Sequence, residues 1–346
     1  MTELPLISVI TPTLNSEKSI GQCIESIFKQ DYPKDKIEII ISDGGSTDKT
    51  LEIINSINST NSISLKILVN TLKTGEAGKA LGVKAARGQI AAFIDSDNIL
   101  PDAGWMKKMV EPFSDQEIIA SEPLEYTYRR GDGYITRYCA LMGMNDPLCF
   151  FLGNYDRLNT ITGKWTNIPH KEEDRGNYLK IEFSKGRIPT IGANGFFIRK
   201  GILDKQKIED YLFDIDILYG LWAMGYGLKI AKVKTGIIHI FAGGIGDFMR
   251  KQRRRIRDYA YYKKMGLRKY EWVKEGRSGL VKFVLCTVLF VPIVFQALIG
   301  YSRKKDKAWF FHIPACVATL FVYSAACMQN FIISRPLNRG GWQHIP

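Results

Sequence analysis

The sequence lacks several patterns that would assign it to common classes of protein. The first apolar segment is followed by TPTLNSEKS and not by a GxGxxG turn, which argues against a nicotinamide-dependent oxidoreductase. The six cysteines show neither CxxC spacing nor a disulfide framework, which favours reduced thiols in a protein that faces the cytosol. The N-terminus, MTELPLISVI, has neither the basic region nor the long apolar run of a secretory signal, so we expect no export of the soluble part.

Charged residues are abundant, and the basic ones outnumber the acidic ones. The 346 residues are 45% hydrophobic, enough for a large core, and carry a net charge of +13, which indicates an anionic partner. Arginines and tyrosines cluster at 247–264, a pattern also found in nucleic-acid-binding proteins. Because an apolar region follows this segment directly, an anionic membrane surface explains it with fewer assumptions, and we expect no nucleic acid partner.

Strand and helix patterns alternate along the N-terminal third of the chain. Apolar, β-branched runs at 6–14, 36–45, 65–70 and 89–97 are separated by segments with helical spacing of apolar residues. This alternation predicts an α/β fold with a mostly parallel sheet flanked by helices. Ligands of such sheets bind at the carboxyl ends of the strands.

Polar side chains stand at several of these strand ends. Asn15 follows the first strand, Asp43 ends the second, and Asp95 and Asp97 end the fourth. An aspartate there can accept a hydrogen bond from a ribose or a base, and two carboxylates one residue apart can hold a hard cation. Asp-Ser-Asp-Asn is also common in turns and helix caps, but the shared sheet edge favours a metal site.

Several segments, in order, resemble a known family. ISVITPTLN, IEIIISDGGSTDKT and ARGQIAAFIDSDNILP resemble the nucleotide-sugar half of an inverting family 2 glycosyltransferase with the GT-A fold. The segments at 188–203 and 213–240 resemble that family's acceptor-side loop and its catalytic-base segment. The resemblance covers about residues 1–260 and implies a nucleotide-diphosphate sugar as donor and a divalent cation, Mg²⁺ or Mn²⁺, as cofactor.

The resemblance also implies roles for individual residues. Asp43 would contact the nucleobase of the donor, Asp95 would contact the ribose or the sugar, and Asp97 would bind the metal. His239 would be a further metal or phosphate contact, although a histidine at a strand end is also a common half-buried residue. The further substrate contacts it implies are Pro12, Thr13, Asn15, Lys79, Asn194, Gly195, Gln252 and Arg255.

The predicted catalytic base is Asp214, chosen by its spacing to Gly225-Tyr226. An inverting transfer needs one carboxylate to accept the proton of the attacking hydroxyl. The family usually has a Glu-Asp pair here, whereas this chain has Phe213-Asp214, so Asp216 remains an alternative. Asp210 follows a glutamate but lies too far from the glycine.

Gln252 to Ile256 partly resembles the QxxRW motif of processive family members. The resemblance implies that Arg255 contacts the diphosphate. Ile256 replaces the tryptophan, which argues against a polymerising activity. In the middle segment, 121–187, the candidates for acceptor contacts are Arg129, Arg130, Arg137 and Trp165, although surface charge and core packing explain such residues more simply.

Two apolar runs, 279–301 and 308–333, have the length of membrane helices. Their basic connection, 302–307, conflicts with a simple hairpin, because lysine and arginine prefer the cytosolic side. Pro292 and Pro314 favour kinks, so one or both runs could be re-entrant or lie along the interface; two buried core helices are the soluble alternative.

The expected organisation has three parts. Residues 1–120 form the donor half of a GT-A domain, 121–265 the acceptor and catalytic-base half, and 266–346 a basic collar with two membrane-associated helices. The expected function is transfer of a sugar to a membrane-associated, polyprenyl-linked saccharide by an enzyme whose catalytic domain faces the cytoplasm. The alternatives are direct transfer to a polyprenyl phosphate, which makes a sugar carrier, and a non-catalytic nucleotide-binding membrane scaffold.

Overall fold

The computed structural model of the protein describes residues 3–59, 62–183, 187–270 and 276–332. These residues form one ten-stranded sheet with helices on both faces. The strands are β1 (Ile7–Thr13), β2 (Ile37–Asp43), β3 (Ser64–Val69), β4 (Ile90–Phe93), β5 (Asn98–Ile99), β6 (Ala120–Thr127), β7 (His170–Asp174), β8 (Tyr178–Phe183), β9 (Phe196–Arg199) and β10 (Lys229–His239).

The α-helices are distributed along the whole chain. They are α1 (Ile20–Phe28), α2 (Thr50–Asn58), α3 (Gly75–Ala85), α4 (Trp105–Val110), α5 (Tyr134–Met142), α6 (Leu148–Leu152), α7 (Lys200–Leu203), α8 (Asp214–Ala223), α9 (Ile245–Lys264), α10 (Arg277–Leu289), α11 (Val291–Arg303) and α12 (His312–Ile332).

The strand order is β3-β2-β1-β4-β9-β6-β10-β8-β7, with β5 paired to β10. The first four strands are parallel, as predicted. The second half differs from the prediction of a mostly parallel sheet, because β9 runs antiparallel to both β4 and β6. The long excursion between β6 and β9 lets the chain return from the opposite direction, so the sheet is mixed.

Alternate residues of the central strands pack on opposite faces of the sheet. Val9 joins one buried cluster with α1 and α4, and Ile10 joins the other with α3 and α8. Helix α3 lies very close to β1, because a Cβ at Gly82 would come within 2.4 Å of Ile10. This close approach brings the first turns of α3 to the carboxyl ends of the strands.

The C-terminal helices pack on the middle segment of the chain. Residues of α12 and the turn before it, such as Trp309 and Ala315, share a buried cluster with Tyr138 of α5. The predicted apolar run 279–301 is two helices, α10 and α11, which meet at 94°. The corner is Phe290, whose φ is 65°, followed by Pro292 in the first turn of α11.

Pro314 does not break the second apolar run. It lies in the first turn of α12, where a proline removes no intrahelical hydrogen bond. Among the described residues, the turn before α12 and α12 itself together form one helical segment, 307–328, that is long and apolar enough to cross a membrane. The bent pair of α10 and α11 would add a second if the two helices count as one span. The tail after residue 332 lies outside the described residues.

Candidate active site

Two loops at the strand ends are held together by Asn15. Its side-chain oxygen accepts a hydrogen bond from the Thr47 amide at 2.8 Å, and its own amide donates to the Ser46 hydroxyl at 2.9 Å. Asn15 has a φ of 50°, which asparagine adopts more readily than most residues. The predicted substrate contact is therefore also a structural bridge between the loops after β1 and β2.

Asp43 shapes the loop after β2. One carboxylate oxygen accepts from the Gly45 and Ser46 amides at 2.9 Å, and the other accepts from the Ser46 hydroxyl at 2.6 Å. Pro12 and Thr13 lie beside it, because Thr13 pairs with Asp43 across the two strands. The Thr13 hydroxyl is buried and has no hydrogen-bond partner within the described residues.

Lys79 connects the predicted sugar contact to the predicted base. The Lys79 ammonium lies 2.8 Å from Asp214 Oδ2 and 3.0 Å from Asp95 Oδ1. The contact with Asp95 is an ion pair whose angles are not those of a hydrogen bond. Asp95 Oδ1 therefore has no hydrogen-bond partner in the described parts of the chain. The Leu212 amide donates to the Glu76 carbonyl at 2.9 Å, which fixes the start of α8 beside α3.

The group of Asp95, Lys79 and Asp214 carries one net negative charge. Burial alone would lower the pKa of Lys79, but the two carboxylates outweigh it and raise that pKa, so the ammonium stays charged. Burial raises the pKa of Asp214 to about 6, with a further contribution from Asp95 and against the effect of Lys79. A carboxylate with a raised pKa is a stronger base than an exposed aspartate.

Asp97 faces a different set of partners. Its Oδ2 atom lies 3.3 Å from His239 Nε2 and 3.3 Å from the Lys251 ammonium. Burial would raise the pKa of Asp97, but these two neighbours hold it well below its usual range. His239 reaches this position because the end of β10 pairs with β5, which places His239 opposite Asn98.

The described residues contain no group of three or more His, Cys, Asp or Glu side chains that could hold a metal ion alone. Asp97 and His239 nevertheless bring one oxygen and one nitrogen within 3.3 Å of each other. Both are common metal ligands, and a diphosphate supplies further oxygens. Asp97 and His239 are thus two candidate ligands, and the Lys251 ammonium, 3.3 Å from the same Asp97 oxygen, would have to give way to a cation.

Asn98 joins the acids to the predicted acceptor-side loop. Its side-chain oxygen accepts from the Asp95 amide at 3.0 Å, and its amide group donates to Asn194 Oδ1 at 3.0 Å. Asn194, with a φ of 53°, donates in turn to the Tyr126 hydroxyl at 2.9 Å. The sequence prediction missed Asn98, although an asparagine three residues after Asp95 is a recognisable turn signal.

The loop of Gly192 to Gly195 packs directly against the predicted base. A Cβ on Gly192 would lie 2.2 Å from the backbone oxygen of Asp214, and the φ of Gly192 is 138°. Gly195 has a φ of 90°, and a Cβ there would meet Ile237 at 2.9 Å. Only glycine fits both positions without displacement of the backbone or the core.

A buried group of four charged residues supports this loop, and the sequence prediction missed it. Arg157 donates to the carbonyl oxygens of Ala193 and Asn194 at 3.0 and 3.1 Å. Glu122 Oε2 lies 2.6 Å from Arg157 and 2.7 Å from Lys232, and Asp156 contacts Arg157. Two acids and two bases balance each other, which makes their burial tolerable.

Asp216, the alternative base, is bound elsewhere. Its carboxylate accepts from Arg268 at 2.9 and 3.2 Å and from the Lys269 amide at 2.8 Å. Asp210 is exposed on the loop before α8. Asp214 is therefore the aspartate of this segment that lies beside Lys79 and Asp95.

Gln252 and Arg255 lie one layer away from the strand-end acids. Arg255 donates to Gln252 Oε1 at 2.6 Å and lies 3.5 Å from Asp146. Gln252 donates to the Asn145 carbonyl at 2.7 Å, and the Asn145 side chain is 3.1 Å from His239 Nδ1. Gln252 and Arg255 are thus connected to the Asp97–His239 pair through the hydrogen bonds of Asn145.

The acceptor candidates of the middle segment are engaged in the fold. Arg129 pairs with Asp132 at 2.7 Å, and Arg137 lies 3.6 Å from Asp306. Trp165 is buried and donates to Glu172 at 2.9 Å. Core packing, the simpler explanation, accounts for this tryptophan. All six cysteines lie among the described residues and are free.

The model of glycosyl transferase family 2 matches residues 8–205, more than half of the chain. The chain therefore belongs to glycosyl transferase family 2.

Curated relatives and a solved structure agree with this family. An uncharacterised glycosyltransferase of Haemophilus influenzae is 37% identical over 240 residues, 67% of this chain and 82% of that protein. A Methanococcus voltae enzyme, named dolichyl N-acetyl-alpha-D-glucosaminyl phosphate 3-beta-D-2,3-diacetamido-2,3-dideoxy-beta-D-glucuronosyltransferase, is 36% identical over 118 residues, 34% of this chain and 36% of that protein. The chain spans less than half the length of the first curated relatives it matches.

The GT-A fold prediction is confirmed. The solved mannosyltransferase of Pyrobaculum calidifontis, in complex with GDP-mannose and Mn²⁺, has a similar structure with a TM-score of 0.55. The likeness covers 96% of this chain and 89% of that one at 15% sequence identity.

We predict different stability effects for two aspartates near the start of α8. Asp216→Asn removes the charge that faces Arg268 inside the protein, so the free energy of unfolding should fall by about 1–3 kcal/mol. Asp210→Asn is the matched control, and an exposed substitution should change it by less than about 0.5 kcal/mol. Chemical denaturation at neutral pH measures both, and equal effects would contradict the buried ion pair.

Proposed function

We propose that this protein transfers a sugar from a nucleotide-diphosphate donor to a membrane-associated, polyprenyl-linked saccharide, with inversion at the anomeric carbon. The observation that carries the proposal is the group formed by Asp95, Lys79 and Asp214 at the sheet edge that also holds Asp97 and His239. It combines a base of raised pKa with a pair of potential metal ligands. The 1–120 and 121–265 segments are the proposed donor and acceptor halves.

Asp214 is the proposed catalytic base. The acceptor hydroxyl oxygen attacks the anomeric carbon, the bond from that carbon to the diphosphate oxygen breaks, and the hydroxyl proton moves to the Asp214 carboxylate. Lys79 keeps one Asp214 oxygen fixed, while Asp214 Oδ1 is buried and has no hydrogen-bond partner among the described residues. That second oxygen is the proposed proton acceptor. The contacts of Asp216 with Arg268 and Lys269 argue against the alternative base.

Asp97 and His239 are the residues proposed to hold the divalent cation. Such a cation, when bound, stabilises the charge that develops on the leaving diphosphate. Asp43, Pro12, Thr13 and Asn15 line the ends of β1 and β2 and form the proposed nucleotide contacts. The Thr13 hydroxyl, which is buried and unpaired within the described residues, supports this assignment.

The remaining predicted contacts have narrower proposed roles. Asn194 and Gly195 are proposed to shape the sugar and acceptor side of the cleft, since Asn98 ties their loop to Asp95. Arg255, with Gln252, is the proposed diphosphate contact, as a guanidinium binds phosphate oxygens through paired hydrogen bonds.

The proposed acceptor follows from the C-terminal helices and from a relative's name. The Methanococcus voltae enzyme is named for a dolichyl-phosphate-linked sugar. In this chain, α10, α11 and α12 expose large apolar side chains that water does not favour, among them Val288, Leu289, Phe295 and Phe321. With the basic residues of α9, they form the proposed contact with an anionic, cytoplasmic membrane surface.

Donor turnover tests the enzymatic proposal. Purified full-length protein in a membrane mimetic, given UDP- and GDP-sugars with Mn²⁺ or Mg²⁺, should release nucleotide from one donor and lose this activity with a chelator. Asp214→Asn should lower kcat by about 10²–10⁴-fold, because a general base contributes a factor of that size. Asp97→Ala should require far more metal, and exposed Asp210→Asn should resemble the parent.

The acceptor arms of the same assay separate the alternatives. Turnover with a polyprenyl-linked saccharide supports the proposal, whereas turnover with polyprenyl phosphate alone identifies a maker of sugar carriers. If no donor is consumed and Asp97→Ala and Asp214→Asn bind nucleotide and membrane like the parent, the protein is a scaffold.

The pH dependence should report the pKa of Asp214. Because the base must be deprotonated, kcat/KM should fall about tenfold per pH unit below pH 6 and level off above it. Initial rates between pH 4.5 and about 8.5, in buffers of constant ionic strength, measure this profile. Asp214→Glu should retain a shifted profile, while Asp214→Asn should abolish the rise. A rise centred near the ordinary aspartate pKa would contradict the buried base.

Vesicle flotation tests the membrane contact. The double variant Leu289→Asp, Phe295→Asp should lower binding to phosphatidylglycerol vesicles by about 100-fold or more, since each large apolar side chain contributes about 1.5–3 kcal/mol when buried. Met224→Asp is the matched control on the catalytic part, where Met224 is also exposed. Equal flotation of the parent and the double variant would contradict the proposal that these helices contact the membrane.

A further inference from the structure

One polar side chain of α12 reaches toward the active site. Tyr323 is buried, and its hydroxyl lies 2.5 Å from Asp146 Oδ2 and 3.2 Å from Gln252 Oε1. A hydroxyl has one proton to donate, and the shorter contact to a carboxylate takes it. Tyr323 therefore holds Asp146 by a charge-assisted hydrogen bond and stands in contact with Gln252.

Asp146 and Gln252 both hold Arg255, together with the Asn145 carbonyl, which accepts from the guanidinium at 3.4 Å. The Arg255 guanidinium donates to Gln252 Oε1 at 2.6 Å and lies 3.5 Å from the Asp146 carboxylate oxygen that Tyr323 also contacts. Asp146 is itself fixed by the Leu148 amide, which donates to its other oxygen at 2.9 Å. The Tyr323 hydroxyl is thus one of a few groups that set the direction of Arg255.

The same contacts continue to the proposed metal ligands. Gln252 donates to the Asn145 carbonyl at 2.7 Å, and the Asn145 side-chain amide lies 3.1 Å from His239 Nδ1. The other ring nitrogen of His239 is 3.3 Å from Asp97. Groups that contact the distal nitrogen of a metal-binding histidine orient its ring. An unbroken series of polar contacts therefore runs from α12 to the strand-end acids.

We propose that Tyr323 is a positioning residue for the donor diphosphate, and that α12 is part of the active site as well as the membrane contact. The proposal rests on the function proposed above for Arg255, Asp97 and His239. Tyr323 acts on Arg255, the proposed donor contact, through Asp146 and Gln252 and by its own interaction with the guanidinium. A phenylalanine would fill the same space, so packing alone does not explain the hydroxyl.

Tyr323→Phe removes one oxygen atom and tests this role. The dissociation constants of UDP and GDP with Mn²⁺, measured by calorimetry on the full-length protein, should rise about tenfold for the nucleotide that the parent binds, as expected for a lost hydrogen bond to a charged group. Donor KM should rise equally, and kcat should change less than KM. Tyr301→Phe is the matched control, because Tyr301 lies on α11 and packs its ring against Phe310.

A double-mutant cycle tests the route through Arg255. If Tyr323 acts through the guanidinium, Arg255→Lys combined with Tyr323→Phe should bind nucleotide no more weakly than Arg255→Lys alone. If the fold losses in nucleotide affinity of the two single variants multiply in the double variant, Tyr323 does not act through Arg255. Asp146→Asn, which keeps an acceptor for Tyr323 but removes the charge beside Arg255, should weaken binding in the same direction and covers the case in which Tyr323→Phe does not fold.

The outcomes separate this inference from the proposed function. If the parent binds a nucleotide and Tyr323→Phe binds it within twofold, the positioning role is wrong and the proposed function stands. If the parent binds neither UDP nor GDP with Mn²⁺, the proposed function fails and the role of Tyr323 fails with it. An equal loss in Tyr301→Phe would show a general effect of the C-terminal helices and also overturn the proposal.

Discussion

A single buried ammonium group determines the arrangement of the candidate site. Lys79 lies between Asp95 and Asp214, and without it two half-buried carboxylates would face each other with no opposite charge. The helix that carries Lys79 must therefore approach the sheet closely, and glycines on its inner side allow this. Gly192 lets the loop of Gly192 to Gly195 pack on the backbone of Asp214, so the proposed base is held from two directions.

The second half of the sheet serves a supporting role for this arrangement. Arg157 holds two carbonyl oxygens of the acceptor-side loop, and Glu122 and Lys232 hold Arg157. Because such a group is stable only when its charges balance, we expect a change at any member to affect the loop and, through it, Asp214, the proposed base. The antiparallel direction of β9 also supports the loop. Because β9 pairs with β4, the loop before β9 lies beside Asp95 and Asp97, which follow β4.

The sequence predicted the parts of the site that depend on local order. Asp43 ends β2, and Asp95 and Asp97 follow the end of β4. The parallel order of the first strands follows from alternating patterns, so the sequence predicts that these aspartates converge. Glu122, Arg157 and Lys232 were missed because buried charges are indistinguishable from surface charges in a sequence. Their partners are also far apart along the chain. The right-angle corner at Phe290 was foreseen only as a kink, since φ preferences do not give a bend angle.

The contact made by Tyr323 limits how freely the C-terminal helix can be exchanged. A helix that serves only as an anchor tolerates any apolar sequence of sufficient length. Each residue of a helix turns the side chain by about 100° and moves it about 1.5 Å along the axis, so one inserted residue in α12 would carry the hydroxyl away from Asp146. The helix is therefore fixed in rotation and height, and a generic membrane segment would not be an interchangeable module in this protein.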